Sequence, residues 1–346
     1  MTTGFKEKEF NDGFNLNVWK RIFQYLKPCK KYIYFLCGLT LIASIAESAF
    51  TLLNRYAINH FIGQSFNHIH FIGYIVISVI FAIVQSQCFY YIFINCAHIE
   101  SKYGAHLRED VYQKLMNLSF KYFDSNPLGW ILARVTSDIT RIAEVLAWSI
   151  FDFSWGLLTV LIGAIVMLVI DYRYACIILV LMPLLVYSTY WFQIRILKLY
   201  RIIRMRNSRI TGSFNEGING AKTTKTLVLE DTNLQEFKDE TRLMNQYSMK
   251  AGRLQSVYRP FINLFSGTAM AFILWFGGKQ VFQESLEIGT LFLFCQYAVQ
   301  FFDPLRQIAQ LLSEAQMAQA NAERIVSLLD EVPSIQDSEA VIEKYG

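Results

Sequence analysis

The chain has 346 residues, of which 53% are hydrophobic and only 17% are charged. Soluble globular proteins carry about 25% charged residues, whereas this chain has a mean hydropathy of +0.29. This composition excludes a disordered chain, a collagen-like chain and a typical soluble enzyme. It indicates a polytopic membrane protein with a sizeable polar part. Six cysteines are scattered and form no CxxC pair, so we predict neither a zinc site nor a redox dithiol.

Six apolar segments follow a polar N-terminal stretch that has no apolar core and therefore does not predict a cleavable signal peptide. A helix needs about 20 mostly apolar residues to span a bilayer, and the last two segments reach this length only by continuing beyond the apolar run. We therefore predict an all-α membrane protein with six long transmembrane helices. The predicted spans are 32–53, 71–94, 148–170, 174–192, 261–276 and 288–302.

The basic residues are distributed unevenly among the connections between these spans. The three short connections hold only Arg55, Arg173 and Lys279 of the 32 Lys and Arg residues. The other 29 lie in the two termini and in the long connections 95–147 and 193–260. Because cytoplasmic segments carry an excess of Lys and Arg, we predict a multi-pass protein of the cell membrane with both termini cytoplasmic. This explains the net charge of +4 without nucleic-acid binding.

The long connections have the periodicity of helices rather than of loops. Apolar residues recur every three or four positions from Ile99 to Leu118, which is typical of one face of a helix. The second span is therefore predicted to continue as a single helix, and 193–214 and 234–259 are predicted to continue their spans in the same way. Extensions of about 20–25 residues project roughly 30–38 Å beyond the membrane.

Each long connection contains one break. Pro127 disfavours helix at Asn126 and is predicted to begin a new helix with Asn126 as its cap. Two glycines interrupt the second connection, and the pattern Thr232-x-x-Gln235 predicts the start of the next helix. The short segments 127–132 and 222–230 would then lie crosswise at the tip of the stalk. Their apolar residues either contact a partner or pack within the stalk: Leu128, Trp130, Ile131, Leu227, Val228 and Leu229.

Four stretches carry a resemblance to a known family. They are LNVWKRIFQYLKPCKKY at 16–32, FKYFDSNPLGWILARVTSDITRI at 120–142, EGINGAKTTKTLVLEDTNLQEF at 216–237 and PLRQIAQLLSEAQMAQANAERIVSLLDEV at 304–332. In this order, with six spans among them, they resemble the membrane domain of an ATP-binding-cassette (ABC) exporter of the multidrug and lipid type. The resemblance predicts an N-terminal segment with an amphipathic elbow helix (1–31), a membrane domain (32–318) and a linker (319–346).

The resemblance implies a transporter built from two such membrane domains, identical or different, each tied to a nucleotide-binding domain that hydrolyses ATP with Mg²⁺. ATP-driven closure would switch the cavity between inward-open and outward-open states for a hydrophobic small molecule, a lipid or a peptide. The two tip segments would be coupling helices that contact the nucleotide-binding domains. Their residues are Pro127, Leu128, Gly129, Trp130, Ile131, Lys222, Thr223, Lys225, Leu227, Val228, Leu229 and Glu230.

The sequence contains neither a Walker A motif nor a signature motif of the ATPase. The nearest text, GINGAKT at 217–223, has an alanine between its second glycine and its lysine, so it lacks the Gly-Lys step of a phosphate loop. We therefore expect this chain alone to have no catalytic residue, to need no cofactor and to bind no ATP. Two alternatives remain open: a permease subunit that recruits a separate ATPase, and a six-span receptor or scaffold.

Polar residues within the spans are candidates for the substrate cavity. Glu47 is an acid within the first span, and acids in a membrane usually face a cavity or a partner. The amides of Gln85, Gln296 and Gln300 are further candidates, although hydrogen bonding between helices explains them equally well. For Glu47 the alternative is an acid that packs between helices and has no role in transport. Histidines near the first short connection lack acids or cysteines to complete a metal site, so we predict no metal.

Overall fold

The computed structural model describes residues 16–61 and 68–333. Within these ranges the regular elements are all helical, which confirms the predicted all-α class. The helices are α1 (Leu16–Gln24), α2 (Lys30–Phe61), α3 (His68–Met116), α4 (Phe120–Ser125), α5 (Leu128–Ala133), α6 (Ile139–Ile170), α7 (Tyr172–Asn219), α8 (Ala221–Thr226), α9 (Glu230–Phe282), α10 (Ile288–Gln300) and α11 (Phe302–Leu329). A short 3₁₀ turn, Lys27–Cys29, precedes α2, and a π-helical turn, Arg134–Asp138, joins α5 to α6.

Five helical stretches are long and apolar enough to cross a membrane, and a sixth is shorter. The five are α2, α3, the continuous stretch Leu128–Ile170, α7 and α9. The sixth, α10, has 13 residues and is about 20 Å long, which is less than the roughly 30 Å of a bilayer core. Only Phe301 separates it from α11, so the sixth span must continue through this position to cross a membrane.

The predicted continuation of the spans into long helices is confirmed. Helix α3 has 49 residues, α7 has 48 and α9 has 53, which corresponds to lengths of about 72–80 Å. The repeat of apolar residues from Ile99 onward forms a buried face of α3 that includes Tyr103, Leu107 and Val111. The residues between the apolar spans and the breaks are therefore ordered helix rather than loop.

Two helix starts differ from the sequence-based predictions. Helix α5 begins at Leu128, because Pro127 has an extended ψ of 136° and its carbonyl accepts the N–H groups of Trp130 and Ile131 at the capping position. Helix α9 begins at Glu230 rather than at the predicted Thr232 capping box. Its first turn carries two acids, which favour the N-terminal end of a helix.

The chain divides into two compact units. Unit 1 contains the described residues up to Gly163 and those from Gln310 onward, and unit 2 is Ala164–Ala309. In unit 1, the amphipathic helix α1 buries Trp19 and Ile22 in the same core as α3, and Tyr103 donates a hydrogen bond to the Ile22 carbonyl at 3.4 Å. The C-terminal part of α11 supplies small and apolar residues to this core, Ala318, Ala322, Ile325, Val326 and Leu328.

Unit 2 is built around the antiparallel pair α7 and α9. Contacts follow the pair along its length, with residue numbers rising on α7 as they fall on α9. They are the Phe192–Tyr258 ring contact (5.5 Å), the Tyr200–Gln255 hydrogen bond (3.0 Å), the Arg206–Glu240 ion pair (2.9 Å) and the Phe214–Phe237 ring contact (4.8 Å). Helix α10 also packs on this pair, where Phe294 contacts Tyr174 at 5.2 Å between ring centroids.

Candidate functional site

The first tip segment, 127–132, consists of Pro127 and most of α5, and it follows α4. Leu128 is 70% exposed, as a contact with a partner would require. Ile131, for which the sequence leaves partner contact and packing within the stalk open, is buried in the unit 1 core, and Trp130 packs against that core while remaining half-buried. Because successive residues of a helix turn by about 100°, a six-residue helix lying on a core buries one side. The burial of Ile131 favours packing for this residue, and contact of Leu128 with a partner stays a prediction.

A buried cluster of charged and aromatic side chains anchors this segment. The Arg134 guanidinium lies over the Trp130 ring, 3.1 Å from its centroid, and donates a hydrogen bond to the Tyr122 hydroxyl at 3.3 Å. Asp138, also buried, accepts from Arg324 of α11 at 3.4 Å to each carboxylate oxygen. Burial raises the pKa of the Tyr122 hydroxyl, and the neighbouring Arg134 opposes that rise.

The sequence pointed to this cluster only in part. Arg134 and Asp138 stand in the motif that carried the resemblance, but neither was assigned a role. The available signal was a pair of opposite charges four residues apart beside the break at Pro127. In the structure this pair occupies the π-helical turn, and π-turns are frequent at functional sites. No periodicity could have identified Arg324 as the partner of Asp138.

The second tip segment, 222–230, contains α8 from its second residue onward, the turn that follows it and the first residue of α9. Lys222, Thr223 and Lys225 lie exposed on α8. The apolar residues Leu227–Leu229 lie in the turn rather than in the helix, and Val228 is 81% exposed with a left-handed φ of 52°. Lys225 bonds Glu230 at 2.9 Å across the turn, and this hydrogen bond lowers the pKa of the Glu230 carboxyl. The turn therefore exposes apolar side chains, and the Lys225–Glu230 ion pair joins the residues on either side of it.

The predicted cavity residues divide between the two units. Glu47 and Gln85 are half-buried in unit 1, whereas Gln296 is exposed and Gln300 half-buried in unit 2. Their assembly into one cavity therefore stays a prediction. Next to Glu47, α2 has a buried polar face, and its Ser44 hydroxyl lies 3.2 Å from the Thr159 hydroxyl of α6. The buried polar residues of this face are Thr40, Ser44, Ser48 and Thr51.

Two open apolar grooves lie on the apolar parts of unit 2. One, of about 630 Å³, runs along α7, and the other, of about 690 Å³, runs along α9. The first is lined by Leu179, Met182, Pro183, Val186, Tyr187 and Tyr190, and the second by Leu264, Gly267, Thr268, Ala271, Phe272, Trp275 and Phe276. These surfaces suit contact with hydrocarbon, from lipid chains or from an apolar ligand.

The histidines near the first short connection contact an aromatic residue. The His60 ring stacks on Tyr56 with 4.0 Å between centroids, and the Tyr56 hydroxyl lies 3.4 Å from Nδ1 of His70. Among the described residues, no group of three or more His, Cys, Asp or Glu side chains could hold a metal ion.

Comparison with known proteins agrees with the architecture. The chain is 23% identical over 341 residues to an ATP-dependent lipid A-core flippase of Syntrophus aciditrophicus. The aligned region covers 98% of the chain and 56% of that protein. It is 28% identical over 317 residues to the multidrug resistance-like ATP-binding protein MdlB of Buchnera aphidicola. This aligned region covers 90% of the chain and 54% of that protein.

The chain thus spans about half the length of the curated relatives that it matches. The sequence model of the ABC transporter transmembrane region matches residues 33–305. This range contains all five long membrane-compatible helical stretches almost completely, together with the shorter α10. The resemblance stated from the sequence is therefore confirmed, and the chain belongs to the family of ABC transporter transmembrane regions.

Proposed function

We propose that the chain is the substrate-translocating domain of an ATP-driven exporter of hydrophobic or amphipathic compounds. The family match over 33–305 carries the proposal. The relatives are named for lipid A-core and for multidrug resistance, and both names suit substrates with large apolar surfaces. The family assignment favours the transporter alternatives over a receptor or scaffold.

The polar and apolar surfaces of the membrane helices support this class of substrate. The two apolar grooves of unit 2 offer contact to acyl chains or aromatic rings. Glu47, which is half-buried, offers a carboxyl group within a helix that can span the membrane. An amphipathic compound needs both kinds of surface, because a buried polar headgroup without hydrogen bonds is costly.

We assign coupling with an ATPase to the two tip segments. Leu128 and Leu227 are large apolar side chains that remain exposed on short elements at breaks between long helices. Burying such side chains in a partner stabilises the contact by about 1.5–3 kcal/mol each. The buried cluster around Arg134 fixes the first segment, so that a push on it is passed to long helices rather than absorbed locally. In the second segment, the Lys225–Glu230 pair joins the two ends of the turn that leads into the long helix α9. Alternating access would follow from movement of these helices.

The test combines the chain with its ATPase in proteoliposomes, whether the ATPase follows Gly346 in the coding region or is a separate subunit. ATP-dependent transport of a fluorescent lipid and of a hydrophobic dye is measured for wild type, Leu128→Ser and Leu227→Ser. We expect each variant to lose most of the substrate-stimulated ATP hydrolysis while substrate binding is retained.

Phe282→Ser is the matched control, because Phe282 is an exposed apolar residue at the opposite end of α9. Unchanged stimulation in both tip variants would contradict the coupling assignment. Absence of ATP-dependent movement of either compound by the wild type would contradict the transport function.

In the same preparation, a cysteine at position 172 should react with an impermeant reagent from outside, and cysteines at 128 and 227 should not.

A further inference from the structure

The third predicted span, 148–170, contains one charged residue, Asp152. Its side chain is half-buried, and it interacts electrostatically with the fully buried Cys96 of α3. Acids within membrane segments are costly and usually face a partner or a cavity. Among the residues that the structure describes, Asp152 forms no ion pair with a basic side chain. The described chain therefore supplies no positive charge for this acid.

A second acid lies near Asp152. Glu314 of α11 interacts electrostatically with it, and both residues belong to unit 1. Two neighbouring carboxylates repel each other when both are ionised, so a positive charge is favoured where they meet. The nearest basic residue along α6 is Arg141, which is about 16 Å away along the helix axis and pairs with Glu144. A bound cation would therefore be stabilised beside Asp152.

A row of aromatic rings runs beside this acid. The distances between ring centroids are 5.7 Å for Phe93 and Trp148, 6.2 Å for Trp148 and Phe151, and 6.3 Å for Phe151 and Trp155. Phe93 belongs to α3, and the other three rings belong to α6. At about 100° per residue, Trp148 and Trp155 lie about 40° and 60° around α6 from Asp152, to the same side of it. The two indoles therefore flank the acid, about one turn away in each direction along the helix.

Both indoles retain accessible surface. Trp148 is 37% exposed and Trp155 is half-buried. The buried indole N–H of Trp155 has no hydrogen-bond partner among the described residues, whereas most buried polar groups of folded proteins have one. The faces of indole rings attract cations, and they do so more strongly where water is excluded. A carboxylate between two indoles therefore suits an organic cation, and it would repel an anion.

We propose that Asp152, Trp148 and Trp155 form a binding site for lipophilic organic cations. The carboxylate selects the positive charge, and the indole rings hold the apolar groups of the ligand. The observation that carries this inference is an acid without a basic partner beside a row of aromatic rings. The site lies at the end of the third span that adjoins the long connection 95–147, so a ligand would reach it from the side predicted to be cytoplasmic. The inference rests on the proposed function, because it names the substrate class of the translocating domain.

The test measures saturable binding, without ATP, to the chain and its ATPase in nanodiscs, with binding to empty nanodiscs subtracted. The probes are methyltriphenylphosphonium and triphenylphosphine oxide, which have nearly the same shape but differ by one positive charge. The wild type should bind the cation about tenfold more tightly than the neutral probe, because the carboxylate attracts only the cation. Asp152→Asn should weaken cation binding by about tenfold and change binding of the neutral probe by less than about twofold.

Asp124→Asn is the matched control, because it makes the same chemical change at an exposed acid of unit 1. This variant should bind both probes as the wild type does. Asp152→Glu keeps the charge and should restore most of the cation affinity, which a purely structural role of Asp152 does not predict. Trp148→Leu and Trp155→Leu should each weaken cation binding by about two- to fivefold, because each removes one ring face.

Three results would overturn the proposal. An equal loss of affinity for both probes in Asp152→Asn would give Asp152 a structural role, and an unchanged cation affinity would show that its charge is not recognised. A wild type that binds both probes equally would have the same meaning, and this measurement needs no substitution. Failure of the proposed function is distinguishable, because a wild type that binds the cation but moves no compound with ATP would contradict transport and leave the binding site standing.

Discussion

Replacing Asp138 with asparagine removes the negative charge from the buried cluster while keeping the size of the side chain. Arg324 then loses the carboxylate to which it donates its hydrogen bonds. Removing one partner of a buried ion pair costs about 3–5 kcal/mol. The Arg324 side chain is 31% exposed, and its 3.4 Å distances to Asp138 exceed the 2.7–2.9 Å of a strong charge-assisted bond. We therefore expect the lower end, about 3 kcal/mol.

The assay is thermal or denaturant unfolding of the purified protein in detergent. The matched control is Glu144→Gln, since Glu144 forms a pair with Arg141 on the same helix at 2.9 Å, but both side chains are well exposed. Exposed pairs of this kind contribute about 0.3–0.5 kcal/mol. Asp138→Asn should therefore lower the free energy of unfolding several times more than the control.

A double-mutant cycle with Arg324→Gln isolates the pair itself. Residues in direct contact show coupling energies of about 0.5–3 kcal/mol, and we expect more than about 1 kcal/mol here. Additive effects of the two substitutions would refute the contact between the π-helical turn and α11. A cost for Asp138→Asn no larger than that of the exposed control would refute the argument from burial.

Two further perturbations address unit 2. Gly277→Ala would place a Cβ atom 2.5 Å from a terminal methyl group of Leu291 on α10, so the Leu291 side chain must shift. We expect Gly277→Ala to have an unfolding free energy about 0.5–1.5 kcal/mol below that of the control Gly278→Ala, which has open space at its Cβ. Leu291→Ala should remove this difference, and equal effects at both glycines would contradict the packing. Hydrogen bonds from Arg206 lower the pKa of Glu240, so the pair stabilises the fold above the ordinary pKa of a glutamate and loses this contribution as pH falls through the lowered pKa. Unfolding midpoints measured from pH 7 to pH 3 should therefore fall less in Glu240→Gln than in wild type, and parallel curves would contradict the pairing.

The long helices could be predicted from the sequence because their signal is local. The apolar residues that recur from Ile99 to Val111 indicate a buried helix face, and this holds for any element that covers the face. Helix α3 and its continuation were therefore predicted correctly. The helix starts were less accurate. Whether Pro127 is the first helical residue or the cap depends on its ψ angle, which its sequence position alone does not determine. At α9, the turn through Val228 and the acids of the first turn begin the helix ahead of the Thr232 pattern.

The candidate sites could be predicted only where exposure follows from local sequence. Leu128 and Ile131 are both apolar residues of one short segment, and only the core beneath that segment separates the exposed one from the buried one. The Asp138–Arg324 contact joins residues 186 positions apart. No periodicity encodes such a contact. Likewise, Gln85 and Gln296 are both amide residues within predicted apolar spans, and no local pattern shows that they belong to different compact units.

The discontinuity of unit 1 has a consequence for the order of folding during synthesis. Helix α1 is held in this unit partly by an ion pair between Arg21 and Asp330, and Ala322 and Ile325 complete the core around Tyr103. Between the two parts of unit 1 lie the 146 residues of Ala164–Ala309. At about 5–20 residues per second, the ribosome needs roughly 7–30 s to make them. The first three long helices are therefore synthesised before the α11 residues that complete their core, and the surface that α11 covers is exposed during this interval.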